Sequence, residues 1–269
     1  MIWVSETVLG DGYVARISPG GNVRWMYRME LGQGDLFYRA NDRHVADCAT
    51  AIAPGPGGDI YVAGSFSRDV PEGRADEPNL PVGGSFLARF SGDGQLRWSR
   101  LVAGAFGRVW LAAAPDGAVV VVAGNVAPPA KPDALPDPGL AAFDADGMPL
   151  WSLPLRKPPQ PAAAAPDVGN LQVVAHKAGD TDFVVAGTYH AALAAGDASL
   201  AWTDGGVFLL KTDRRGAVKS LRGLRAQRAP TGEGSQASAV VLGPAAAGLW
   251  VGGIVGARGR GAWLQMARW

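Results

Sequence analysis

The chain has 269 residues, and 48% of them are hydrophobic, nine Trp included, so it holds enough apolar material for one or two packed domains rather than a disordered segment. Charged residues make up only 18% and nearly balance, 25 basic against 24 acidic, which leaves no electrostatic footprint for nucleic acid or an anionic membrane surface. The lone Cys48 excludes an internal disulfide and a cysteine-based zinc centre, and the 38 Gly lack the three-residue period of collagen.

No run approaches the ~18 apolar residues of a membrane-spanning helix, and the opening MIWVSETVLG lacks the basic start and apolar core of a signal peptide. The first strands are expected in IWVS and in YVARISPGGNVRW (13–25), where a turn at Gly21 is followed four residues later by Trp25. CATAIA then leads through a GPGG turn into DIYVAG (59–64), ending at Gly64. FLARFSGDGQLRW (86–98) repeats the earlier hairpin, with Gly94 and Trp98. VWLAAAPDG and VVVVAG (119–124) follow, the latter ending at Gly124, and LAAFDADGMPLW (140–151) gives Gly147 and Trp151. LQVVAHKAGD, DFVVAG (182–187) with Gly187, and FLLKTDRRGAVKS (208–220) with Gly216 form the next unit, in which Ser220 stands at the Trp position. SAVVLGPAAAG and LWVGG (249–253), ending at Gly253, close the series.

These runs are short, rich in β-branched and aromatic residues, and punctuated by Gly, Pro and Asp, which specifies strands rather than helices. A Gly three residues after Ser or Asp supplies the positive φ of a tight hairpin. The glycines that end the YVAG-like runs lie 60, 63 and 66 residues apart. Each unit therefore holds four strands, A (CATAIA-like), B (YVAG-like), C (FLARF-like) and D (QLRWS-like). The unit boundaries fall at about 1–58, 59–118, 119–181, 182–247 and a partial 248–269, all within one domain. Radial repetition of such units protects sheet edges in a β-propeller. The expectation is an all-β propeller of four-stranded antiparallel blades, four to five in number with five preferred. The N-terminus reads as B, C and D without an A, and the C-terminus as A, B and C without a D. Either the termini complete a shared blade or the ring is incomplete.

The units resemble the bacterial β-propeller repeat called SBBP, whose pattern is an AVD-type strand, GNVYVTG, a long loop, FVAKL and a turn leading to LLW. FLARFSGDGQLRWSRLVAG (86–104) fits it best. The resemblance implies a propeller, attaches no activity, and suggests an exported, cell-envelope protein. DADGMPLW is also similar to the turn-plus-Trp motif of quinoprotein propellers, but the polar ligands that such a cofactor needs are not found, so no cofactor is expected.

A-to-B and C-to-D turns are short, whereas the B-to-C loops (65–84, 125–139, 188–206) and D-to-A loops (30–46, 156–169, 223–234) are long. Long loops on a rigid scaffold are where binding concentrates. Aromatic and Arg side chains dominate interface energies, so the expected anchors are Phe37, Tyr38, Arg39, Arg43 and His44 in one loop, with Phe66, Arg68, Tyr189, His190 and Trp202 in others. Tyr189 shares its repeat position with Phe66, which also suggests packing. Trp25, Trp98 and Trp151 are read as packing between blades, and Gly21, Gly94, Gly147, Gly216, Gly64, Gly124, Gly187 and Gly253 as structural.

Asp144 and Asp146 resemble the opening of a calcium loop, but Leu155 stands where its twelfth-position Glu belongs, so DADG is read as a hairpin turn. His44 and His190 belong to different blades and His176 ends an A strand, so no metal is expected. The A strands contain no carboxylate pair for glycoside hydrolysis and no G-x-S-x-G elbow is present, which argues against an enzyme. The expected function is a non-catalytic binding or scaffold module for a protein or glycan partner. The alternatives are a carbohydrate-active or other hydrolase with loop carboxylates, or a segment of a larger exported surface protein.

Overall fold

A computed structural model describes residues 2–5, 13–28, 47–67, 83–103, 109–114, 116–126, 137–156, 168–178, 180–189, 192–201, 206–224, 237–245, 248–255 and 261–267. The described residues are all-β, apart from one 3₁₀ turn at Pro56–Gly58. They form five sheets, in which every strand pair is antiparallel.

The first sheet is β1 (Ile2–Ser5), β2 (Tyr13–Ile17) and β3 (Val23–Arg28). The second is β4 (Asp47–Pro54), β5 (Ile60–Ser67), β6 (Gly83–Phe90) and β7 (Leu96–Ala103), in that order. The third contains β8 (Trp110–Ala113), β9 (Val119–Val126), β10 (Asp137–Asp144) and β11 (Pro149–Arg156). The fourth runs β12 (Val168–Ala178), β13 (Asp180–Tyr189), β16 (Gly206–Thr212) and β17 (Val218–Leu224). The fifth is β18 (Ala237–Ala245), β19 (Gly248–Val255) and β20 (Gly261–Ala267). The A-B-C-D order expected from the repeat is thus present in the three middle sheets, with B-C-D first and A-B-C last. Among the described residues the first and last sheets are separate, with no hydrogen-bonded pairing between their strands.

Apolar clusters lie between consecutive sheets. Val14, packed by Trp25 and Tyr27, meets Ile60, Val62, Phe86 and Phe90 between the first and second. Tyr61, Ala63 and Leu87 meet Leu111, Val120 and Val122 between the second and third. Val121, Ala123, Leu140 and Leu155 meet Val173, Phe183, Val185 and Phe208 between the third and fourth. This explains the unbroken VVVV of β9. Successive side chains of a strand point to opposite faces, and here both faces are buried: Val120 and Val122 face the second sheet, Val119, Val121 and Ala123 the fourth.

One expectation is corrected. The stretch 188–206 is not simply a loop: β14 (Leu193–Ala195) and β15 (Ala198–Leu200) form a hairpin within it. Ala194 and Ala195 of β14 pair with Arg156 and Leu155 of β11, so a connection of the fourth sheet extends the third to six strands. Leu193 is fully buried there, which supplies the apolar driving force for the hairpin.

Candidate functional site

The tight-turn end of the strands is built from one repeated device. In all four C-to-D hairpins, the Ser or Asp that opens the turn accepts the amide four residues on. Ser18 Oγ takes Asn22 N at 3.1 Å, Ser91 Oγ takes Gln95 N at 2.9 Å, Asp144 Oδ1 takes Met148 N at 2.8 Å and Asp213 Oδ1 takes Ala217 N at 2.9 Å. The glycine three residues after each is left-handed, with φ of 82°, 91°, 77° and 84° at Gly21, Gly94, Gly147 and Gly216. Its amide donates to the carbonyl of the opening residue. Asp144 also accepts Asp146 N at 2.9 Å, so one carboxylate oxygen of DADG serves the turn's own amides.

The next sheet's turn then receives a tryptophan. Trp25 Nε1 donates to Gly92 O, Trp98 Nε1 to Ala145 O and Trp151 Nε1 to Arg214 O, each at 2.9 Å. A Cβ placed on Gly94, Gly147 or Gly216 would lie 2.6, 2.9 or 2.6 Å from an indole carbon of Trp25, Trp98 or Trp151 respectively. Glycine is needed twice at those positions, for its φ and for the close approach of the ring.

An arginine reinforces two of the three contacts. Arg89 lies opposite Trp98 across β6 and β7, and its Nη1 reaches the same Ala145 O at 2.6 Å. Its Nε and Nη2 hold Asp59 Oδ2 at 2.9 and 2.8 Å, and both side chains are largely buried. Arg16 lies opposite Trp25 in the same way, and its Nη1 reaches Gly92 O at 2.6 Å. The third sheet has Ala142 at this position, opposite Trp151. There Arg214, on the receiving turn, pairs with Asp116 at 3.0 Å. The amide of Ala118 and then Arg214 hold the Asp116 carboxyl below the ordinary carboxylate range.

Tyr61 completes the contact between the second and third sheets. Its hydroxyl donates to Gly117 O at 2.7 Å, and the Arg89 guanidinium lies 6.0 Å from its ring centroid. Burial pushes the Tyr61 hydroxyl pKa up against the opposing effect of Arg89, so it stays a neutral donor at physiological pH. Between the first and second sheets no tyrosine stands at the matching register position, where Ile2 opposes Arg16. Among the described residues a cavity of about 490 Å³ between these sheets is lined by Arg16, Trp25, Ile52, Pro54, Asp59 and Gly92, among others.

Of the expected loop anchors only Phe66 and Tyr189 are among the described residues. Phe37, Tyr38, Arg39, Arg43, His44, Arg68, His190 and Trp202 lie outside the described residues. Phe66 stands at the loop end of β5, opposite Asp47 and Gly84. Tyr189 is 4% exposed and sits in the cluster between the third and fourth sheets, edge-on to Phe208. A Cβ on Gly223 would come within 2.9 Å of its hydroxyl, so the ring is covered and does not serve as an exposed anchor.

Three expected glycines oppose aromatic residues across B and C strands: Gly64 pairs with Phe86, Gly187 with Phe208 and Gly253 with Trp263. At Gly187 an added Cβ would meet the Phe208 ring at 2.6 Å. Gly124 pairs with Gly139. His176 pairs with Asp182 across β12 and β13.

Arg16, Asp59, Arg89 and Tyr61 were not singled out in the sequence. The Ala-Arg shared by YVARI and FLARF was the signal for the two arginines. Among the described residues no group of three His, Cys, Asp or Glu is placed to hold a metal, and no helix is long and apolar enough to cross a membrane. No protein-family model matches the sequence, and no curated protein is similar to it.

Proposed function

We propose that the chain is a β-propeller of SBBP-type repeats that acts as a non-catalytic binding or scaffold module through the end of the sheets carrying its long connections. The observation that carries this reading is the asymmetry of the two ends. In an antiparallel meander the A-to-B and C-to-D turns leave at one end, and the B-to-C and D-to-A connections at the other. The turn end is closed by repeated Trp, Gly and Arg contacts between sheets. A scaffold fixed in that way presents its variable connections together. Successive sheets packed face to face, the three middle ones in A-B-C-D order, support the propeller. The partner is a protein or a glycan, since the near-zero net charge gives nucleic acid nothing to recognise.

The test replaces Phe37, Tyr38, Arg39, Arg43 and His44 with Ala together. Binding is compared with wild type on a glycan array and by cross-linking capture from the source cells, alongside thermal melting. A ligand retained by wild type and lost by the variant at unchanged melting temperature supports the loop end. A ligand that binds both equally places the function elsewhere.

A further inference from the structure

The geometry points to a binding site for a small aromatic carboxylate in the cavity between the first and second sheets, with Arg16 as its anion-binding group. It lies at the turn end, away from the long connections, and does not depend on the function proposed for them. The argument compares two copies of one repeated interface. In the copy between the second and third sheets, the arginine opposite the latch tryptophan uses its whole fork. Arg89 Nη1 holds the carbonyl of the next turn, and Nε and Nη2 hold the Asp59 carboxylate. The space beside it is filled by Tyr61, whose ring packs near Trp98 at 6.0 Å and whose hydroxyl reaches the neighbouring A-to-B turn at Gly117 O.

In the copy between the first and second sheets, Arg16 makes the equivalent carbonyl contact to Gly92 O at 2.6 Å. Among the described residues no carboxylate engages its Nε and Nη2. By register Ile2 opposes Arg16 as Tyr61 opposes Arg89, so this copy has no tyrosine at the matching position. Among the described residues a cavity of about 490 Å³ lies between these sheets, with Arg16 and Trp25 on one side and Ile52, Pro54 and Ile60 on the other. Asp59 also lines it, but its charge is held by Arg89, and its other oxygen accepts Gly92 N at 3.2 Å. A guanidinium fork presents donors in the geometry that a carboxylate accepts, and an aromatic body packs on Trp25 and the aliphatic wall as Tyr61 does one interface on. Filling both vacancies takes a carboxylate and a ring in one molecule.

Benzoate is the probe, with benzyl alcohol as its uncharged counterpart, titrated against the whole chain by calorimetry and by chemical-shift perturbation. Saturable benzoate binding is expected, with shifts centred on Arg16, Trp25 and Gly92 and at least ten-fold weaker binding of benzyl alcohol. Arg16→Gln should weaken benzoate at least ten-fold. Ile2→Tyr, which puts a tyrosine at the register position that matches Tyr61, should abolish binding while leaving the melting temperature equal or higher, and it decides the matter if Arg16→Gln does not fold. Absence of saturable binding, equal affinity for benzyl alcohol, or affinity unchanged in a folded Arg16→Gln or Ile2→Tyr variant would overturn the site.

Discussion

At Gly147 two demands meet in one residue: a φ of 77° and an indole carbon of Trp98 where a Cβ would stand 2.9 Å away. Gly21 meets only the first, with a φ of 82° and nothing within 4 Å among the described residues. Gly21→Ala should therefore cost about 1–2 kcal/mol for the left-handed backbone alone. Gly147→Ala should cost that plus about 1–3 kcal/mol for displacing the ring. Denaturant midpoints of the two variants measure the difference, and equal losses would mean that the Trp98 contact contributes nothing. Trp98→Phe removes the Nε1 donor and part of the fused ring, while Ala145 O keeps its bond from Arg89. The expected loss is about 1–3 kcal/mol, of which the hydrogen bond contributes about 0.5–1.5 kcal/mol, against about 3–5 kcal/mol for Trp98→Ala.

Asp213 adds a pH dependence at the same scale. Burial raises its carboxyl pKa, but the Lys219 ammonium and the amides of Ala217 and Arg215 outweigh that, so the group sits below its ordinary value. A depressed carboxyl contributes stability that is fully present above its unfolded pKa of about 3.9 and is lost as pH falls through the folded value. Asp213→Asn should be less stable than wild type at neutral pH, with the gap closing below about pH 4. Denaturation midpoints across that range read it, and a gap independent of pH would remove the charge from the explanation.

Among the elements, the hairpin of β14 and β15 is the one whose role differs from its place in the chain. It leaves the fourth sheet, pairs with β11 of the third, and brings Leu193 into the cluster between them. Gly196 at its tip, with a φ of 55°, lies against Val218 of β17. Leu193→Ala should cost about 2–5 kcal/mol in global stability. A loop residue would lose under about 0.5 kcal/mol, so a single denaturation curve separates the two.

Within 188–206 only the Gly196-Asp197 pair hints at the hairpin. Its strands are three residues each, half of them Ala, and their partner β11 is remote in sequence. The C-to-D hairpins were legible because their bonds close locally, from Ser91 to Gln95 or from Asp213 to Ala217. The repeat position of Tyr189 hinted at packing, but what covers its ring, Gly206 and Gly223 on β16 and β17, is set by strands that no local pattern identifies.

For the whole molecule, the described contacts join each sheet to the next in chain order, through clusters and latches that differ from one interface to another. A stack held by neighbour terms opens from its weakest interface. The first sheet is tied to the second through Val14, Trp25, Tyr27 and Arg16. Trp25→Ala should therefore speed amide hydrogen exchange in residues 13–28 while leaving residues 168–224 near wild-type protection. Uniform loss of protection would instead mean that the proposed propeller unfolds as one unit.

Residue order by itself determined the strands, their A-B-C-D sequence and the four turns, because each is set by side-chain alternation or by bonds that span four residues. It also marked the tryptophans as equivalent by their fixed distance from a turn glycine. Only the tertiary structure decided which carbonyl each reaches, since the Trp and Arg contacts join residues 47 to 76 positions apart. The open cavity beside Arg16 has the same origin. Whether a guanidinium meets a carboxylate depends on which strand lies opposite it and what the next sheet presents, and neither is a property of the neighbouring residues.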